Sequence, residues 1–358
     1  MRARRSIGRG GRRRVRRGGP AAALRAAAVA LALGLPGAAW AATTTPLDYL
    51  SGAGEKTNAI TPLLWFLIWV SIAVVVIIGG LVLVGALLRR ARRSSPAEVP
   101  PERTRSGLSW ITIGVGLSTI ALLVATVWTV STSAAINEPD EPYGLTLAIT
   151  GHQWWWEVEY RGDTPSETFE TANEIHIPVG VPVRIELRTA DVIHSFWVPA
   201  LTGKTDLIPN ITNVTWIEAD HAGVYRGQCT EYCGRQHAHM GLVVYADEPQ
   251  AFEAWRQDQL APAATPDAEL QVGLAAFTIR CGACHTVRGT AAGGQLGPDL
   301  SHLASRSTIA AATLPNTIGH LSGWIADPQG VKPGNLMPRL DLMGTELDAI
   351  RTYLLSLT

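Results

Sequence analysis

The sequence predicts a multi-domain membrane protein made of three parts in series: a two-helix transmembrane hairpin, an all-β domain and an all-α module. Three observations carry this. Two apolar runs, 63–88 and 111–135, contain no charged residue, and each exceeds the about 20 residues needed to span a bilayer. Within 143–258, Val181, Val183, Ile185 and Leu187 alternate with polar or proline positions, the period-two mark of a half-buried strand. Beyond a Pro/Ala linker at 259–267 the apolar period is helical over Ala268 to Ile279 and again over Thr345 to Leu357.

The chain opens on an arginine-rich stretch, an apolar run from Ala26 to Leu35 and the tripeptide Ala39-Trp40-Ala41, the pattern of an export signal over 1–41 with a small-residue cleavage site. An external segment, 42–62, leads into the hairpin. The connecting loop, 89–110, carries Arg89, Arg90, Arg92, Arg93, Arg103 and Arg105, and the positive-inside rule places it in the cytoplasm. Everything after Ala135 is then outside. In the β domain, Glu174 to Val179 and Leu242 to Tyr245 read as further strands separated by turn residues, predicting a small sandwich or barrel. The last module, 268–358, starts with a helix over Ala268 to Ile279. It ends with an amphipathic helix over Thr345 to Leu357, which has Leu347, Ile350, Leu354 and Leu357 on one face. Ten arginines and no acids occupy the first 25 residues of a chain that balances 30 basic against 30 acidic residues, so the remainder carries a net charge of −10. Most of that excess lies in the β domain, which would repel nucleic acid and attract cationic partners.

All four cysteines fall in two metal-ligand signatures. Cys229 and Cys233 lie in C-T-E-Y-C-G-R-Q-H-A-H-M, with His237 and Met240 in the same twelve residues. A mononuclear blue-copper site needs one Cys, two His and a weak axial Met, so the extra thiolate suggests two copper ions sharing both sulfurs. His194, in D-V-I-H-S-F-W-V-P upstream, is the best placed second histidine. Zinc is the rival for a Cys/His set but rarely uses Met. Cys281 and Cys284 lie in C-G-A-C-H, the attachment motif of a covalent c-type haem, with His285 as proximal iron ligand. Met337 and Met343 are the candidates for the sixth ligand. A chain carrying both centres moves electrons. Its membrane helices contain no histidine, so they cannot hold a haem or copper inside the bilayer, and the electrons must leave for another subunit.

The motif C-x-E-x-C-x3-H-x2-M, the upstream D-V-I-H-S-F-W-V-P, the run G-H-Q-W-W-W-E at 151–157 and the two preceding helices together resemble cytochrome c oxidase subunit II over about Leu63 to Asp247. From Ala268 onward, C-G-A-C-H, Gly297-Pro298-Asp299-Leu300 and P-G-N-L-M-P-R are similar to the class I cytochromes c. The resemblance implies a cupredoxin-like Greek-key barrel holding the binuclear CuA centre, followed by a cytochrome c domain. By position it implies His194, Cys229, the Glu231 carbonyl, Cys233, His237 and Met240 as copper ligands, and the Glu231 side chain as a magnesium ligand where subunit I docks. It implies Trp154 as the residue through which electrons reach CuA. The Pro298 carbonyl would accept a bond from the haem-ligating His285, and the N-x-M-P context favours Met337 over Met343.

The function implied is that of a subunit of a respiratory, proton-pumping haem–copper cytochrome c oxidase in a bacterial plasma membrane. Both metal domains would lie on the periplasmic or extracellular side, and subunits I and III would be partners. Electrons would pass from a donor, such as a cytochrome bc complex or a cytochrome c, to the chain's own haem c, then to CuA, then to subunit I, which reduces oxygen to water. An electron-input subunit of a CuA-containing nitric oxide reductase is the alternative, and a membrane-anchored electron carrier without an oxidase partner is a third reading. Two positions depart from the family. Gly107 stands three residues before Trp110, where the family often has a glutamate serving proton uptake, and Glu102 nearby is out of register. Pro209-Asn210-Ile211 replaces the usual P-G-R.

Overall fold

Two long helices, α1 (Glu55–Arg92) and α2 (Arg105–Ala135), lead into the folded part of the chain. The computed structural model describes residues 47–92 and 105–358. The expected signal segment, the start of the external segment and Glu102 lie outside the described residues. α1 extends past its apolar run at both ends and α2 at its start, because backbone hydrogen bonding continues into the flanking polar residues. Spans Glu55–Arg90 and Ser109–Ala135 are long and apolar enough to cross a membrane, with 0% of their most apolar windows buried in protein. A helix apolar on every side needs an apolar surrounding. At the outer end of α1, Lys56 donates to Thr215 Oγ1 at 3.1 Å and lies 4.6 Å from the centre of the Trp216 ring. The Trp216 indole N–H donates to the Ile136 carbonyl at 3.1 Å, just beyond α2. One tryptophan thus seats both helices on the β domain.

That domain has ten strands: β1 (Leu145–His152), β2 (Trp155–Arg161), β3 (Phe169–Ala172), β4 (Glu174–Pro178), β5 (Val183–Thr189), β6 (His194–Phe196), β7 (Thr205–Leu207), β8 (Asn213–Ile217), β9 (Gly223–Gln228) and β10 (Gly241–Asp247). They form a five-stranded sheet in the order β3-β2-β1-β5-β8, a three-stranded sheet in the order β4-β10-β9, and the hairpin β6-β7. The pairs β1/β5 and β4/β10 are parallel, which requires crossovers. The result is a cupredoxin-like sandwich. Its core is the inward half of each alternation: Leu147, Ile149, Val158, Ile185 and Leu187 from one sheet, Ile175, Ile177 and Val244 from the other, all at 0% exposure. A helix that the periodicity did not reveal, α3 (Pro249–Leu260), closes one end. Its Trp255 stacks on His176 with ring centres 4.1 Å apart and also touches Tyr160 and Phe169.

The last module contains α4 (Ala268–Arg280), α5 (Ile318–Ala326), the short α6 (Pro328–Val331) and α7 (Gly344–Leu355). Asp267 caps α4 by accepting from the N–H groups of Glu269 and Leu270. Phe277 of α4 meets Tyr353 of α7 with ring centres 5.8 Å apart, in a core shared with Val287, Leu303, Leu321, Ile325, Ile350 and Leu354. Leu357, placed on the final helix by its spacing, lies two residues past the helix end and is still buried.

The module lies directly against the β domain. The buried Glu174 carboxylate accepts from the N–H and hydroxyl of both Ser307 and Thr308, at 2.8 to 3.2 Å. Ala310, Ala311 and Ala312 follow in a left-handed turn with φ of 55°, 59° and 55°. That conformation costs an L-residue about 1–2 kcal/mol each, and the contact offsets it. The Ala311 carbonyl accepts from the Gly241 N–H at 3.1 Å, and the Ala312 carbonyl from Arg226 at 3.1 Å.

Candidate metal centres

The loop from Cys229 to Met240 runs between β9 and β10, and the strand ladder closes its two ends on each other. The Cys229 N–H donates to the Met240 carbonyl at 3.0 Å. Gln228 Nε2 donates to the carbonyls of His237 and Met240. The Thr230 N–H reaches the Ser195 carbonyl at 3.1 Å, tying the loop to β6, which carries His194. Gly151 of β1 makes room there: a Cβ on it would stand 2.8 Å from the His194 ring.

These ties bring the sequence-predicted copper ligands to one place. The Cys229 and Cys233 sulfurs are 3.8 Å apart, far beyond the about 2.05 Å of a disulfide, and both thiols are free and buried. His194 Nδ1 is 3.9 Å from the Cys229 sulfur, and His237 Nδ1 is 3.5 Å from the Cys233 sulfur. Met240 Sδ is 3.9 Å from the Cys233 sulfur, and the Glu231 carbonyl 3.3 Å from that of Cys229. Among the described residues, His194, Cys229 and Cys233 form a cluster able to hold a metal ion. Two sulfurs in the middle, with two imidazoles, one thioether and one carbonyl around them, make a soft donor set that fits copper. The hydrogen bond between the two sulfurs holds the Cys229 thiol below its usual range against the effect of burial, and it holds the Cys233 thiol above it.

The sequence reading missed the support under His194. Asp191 accepts from His194 Nε2 at 2.8 Å, from the Val192 N–H at 2.6 Å and from the Gln153 N–H at 2.7 Å. Burial pushes its carboxyl up, but these bonds outweigh burial and hold it below the ordinary range. The ring orientation is thereby fixed with Nδ1 toward the sulfurs. Carboxylate partners of this kind typically support metal affinity by about 10–100-fold. Asp191→Asn is therefore expected to lower copper affinity by about that factor, measured by competition with a copper chelator. Unchanged affinity would remove Asp191 from the site. The only hint in the sequence was its position three residues before His194.

Trp154 does not lie in the strand with its neighbours but in the turn between β1 and β2. Its indole N–H donates to the Cys233 carbonyl at 3.0 Å, where Gln153 Nε2 also donates at 2.7 Å. Trp156 is fully buried in the core, and Trp155 stacks on His152 at 4.3 Å. The Glu231 carboxylate is half exposed and 3.7 Å from Lys204.

In the last module Cys281 caps α4 and His285 follows in the next turn. His285 Nδ1 donates to the Pro298 carbonyl at 2.9 Å, and burial lowers its pKa. A neutral imidazole with its proton on Nδ1 keeps its Nε2 lone pair for a metal. The ring packs flat on Gly297, where a Cβ would stand 2.7 Å from Cε1. These residues fit a thioether-linked haem. Met337 is half-buried and fixed at both backbone ends: its N–H donates to Asn335 Oδ1 at 2.7 Å and its carbonyl accepts from Gln329 at 2.8 Å. Met343 is 70% exposed at the cap of α7. Two other histidines hold structure: the ring nitrogens of His302 face the carbonyls of Thr358 and Ala261, and His176 pairs with Asp247.

A family model described as "Cytochrome C oxidase subunit II, periplasmic domain" matches residues 163–247, and one described as "Cytochrome c" matches 271–358. Cytochrome c oxidase subunit 2 of Alkalihalophilus pseudofirmus is 37% identical over 280 residues, covering 76% of this chain and 79% of the relative. Its counterpart in Bacillus sp. strain PS3 is 30% identical over 292 residues, covering 75% and 79%. Among solved structures, the periplasmic domain of subunit II of cytochrome oxidase from Bradyrhizobium japonicum is 33% identical, covering 33% of this chain and 95% of that one, with a TM-score of 0.31.

Proposed function

The chain belongs to the cytochrome c oxidase subunit II family, and on that premise we propose that it is a two-centre electron relay: its own haem c receives electrons and its CuA centre hands them to subunit I. The bound groups would supply one-electron redox chemistry, two copper ions at the Cys229–Met240 loop and one haem at Cys281, Cys284, His285 and Met337. The protein supplies everything else. Asp191 and the loop ties hold the soft donors in place, so that little has to move when the charge of the site changes. The Pro298 carbonyl fixes the His285 ring. Tethering the haem module replaces a diffusional encounter with contact at high effective concentration. The observation that carries the reading is that the two motifs meet: residues 332–334, just before Met337, lie on Trp154, whose indole bonds the Cys233 carbonyl.

The two apolar helices anchor the chain in a membrane. In this reading that is the bacterial plasma membrane, crossed twice, with both metal domains outside. Subunit I docks where the Glu231 carboxylate is exposed, with magnesium as its counter-ion. Subunit III completes the complex, and the donor is a cytochrome c or a cytochrome bc complex. Oxygen is reduced in subunit I with proton pumping, and Gly107 leaves this chain without the family's glutamate at that step. Purified complex is expected to show haem c, haem a and the near-infrared CuA band together, and to consume oxygen. A complex that reduces nitric oxide but not oxygen would overturn the assignment to an oxidase.

A further inference from the structure

Lys332, the single lysine of residues 268–358, is buried at 2% exposure. Its Nζ donates to the Trp154 carbonyl at 2.6 Å and to the Ala310 carbonyl at 3.1 Å. Burying an amine is costly unless its donors are satisfied, and here the partners come from both domains. Burial pushes its pKa down to about 7, yet in either protonation state the amine has an N–H for each carbonyl. The residues that follow complete the contact. The Pro333 carbonyl accepts from Gln236 Nε2, in the copper-ligand loop, at 2.8 Å. Gly334, at φ 90°, lies on the Trp154 ring: a Cβ built there stands 3.7 Å from Cη2. Asn335 then bonds back to the Lys332 carbonyl at 2.7 Å and forward to the Met337 N–H at 2.7 Å. From the Cys233 carbonyl through Trp154, Lys332 and Asn335 to Met337, each link is a hydrogen bond or a covalent neighbour. Trp154 itself is only 7% exposed.

We propose that Lys332 is a positioning residue for electron transfer: it locks the Met337 loop of the haem module onto Trp154 and so holds the haem and the copper pair at one fixed separation and orientation. This rests on the relay reading above. In the step it serves, one electron leaves the ferrous haem, which becomes ferric, and enters the copper pair, with no bond made or broken and no proton moved. Lys332 touches neither metal. It acts through the Trp154 carbonyl, and the left-handed Ala310–Ala312 turn is the second surface that its amine grips.

The test uses the full-length protein in its complex. Lys332→Met keeps an unbranched chain and removes the donors. Three quantities are read: the rate of haem c to CuA transfer after a light pulse, the enhancement of CuA electron-spin relaxation by the haem iron, and the optical spectra and potentials of both centres. The expected result is transfer slowed at least about tenfold and a weakened relaxation effect, with spectra and potentials unchanged. Unchanged transfer and relaxation in a variant with both centres intact overturns the proposal. If Lys332→Met does not accumulate, Gln236→Ala, which cuts the tie to Pro333, is read in the same way and the same outcomes decide. Wild-type protein that holds both centres but passes no electron between them would instead contradict the relay itself.

Discussion

Replacing Cys229 with serine is expected to remove both copper ions and leave the haem c spectrum intact. The Cys229 sulfur lies within 3.3–3.9 Å of the Glu231 carbonyl, the Cys233 sulfur and His194 Nδ1, so every copper position between the two sulfurs uses it. A serine oxygen is a hard donor with its proton firmly attached, whereas Cys229 gives up its proton readily because Cys233 bonds to its sulfur. Soft thiolates are what select copper. The fold should survive, since Cys229, Cys233 and Met240 are a small part of a buried core that the two sheets otherwise supply. Oxygen uptake by the complex should fall by more than the about 10–100-fold that loss of an outer-shell partner costs. Metal analysis and the near-infrared spectrum check this. Retention of two copper ions per chain would show that the bridging assignment is wrong.

Met337→His is expected to lower the haem potential sharply while leaving copper content unchanged. A thioether opposite a histidine raises the potential of a c-type haem, and axial ligands span about 0.8 V across haem proteins. A fall of only about 60 mV makes a one-electron reduction tenfold less favourable, so electron input should slow even with both centres present. Met343→Leu should change nothing, because Met343 stands 70% exposed at a helix cap whereas both backbone ends of Met337 are fixed. A redox titration of the two variants separates them. A lowered potential in Met343→Leu, with Met337→His unaffected, would exchange the two roles.

The candidate ligands were legible because each motif is local. Cys229, Cys233, His237 and Met240 fall within one loop, and Cys281, Cys284 and His285 within one turn, so spacing alone displays the donor set. The helical hairpin was equally plain from the charge-free runs. What the sequence hid depends on contacts far along the chain. Asp191 looks like any surface acid until β6 brings His194 against it. Helix α3 has too few apolar residues for a clear stripe, and becomes intelligible only once Trp255 is seen stacked on His176. Lys332 reads as an ordinary solvated lysine, and its partner Trp154 is 178 residues away. The three alanines at 310–312 suggest a helix, and only docking against Gly241 and Arg226 explains their left-handed turn.

The order of the relay is tested most directly by mixing the oxidised complex with a one-electron donor and following haem c and the near-infrared copper band together, in wild-type protein and in Met337→His. In the wild type the haem should reduce first and the copper band bleach behind it. In Met337→His the haem should stay largely oxidised and the bleaching should slow, because a potential drop of about 60 mV already makes haem reduction about tenfold less favourable. Copper that bleaches at the wild-type rate while the haem stays oxidised would mean that electrons reach CuA directly, and the series order would be wrong.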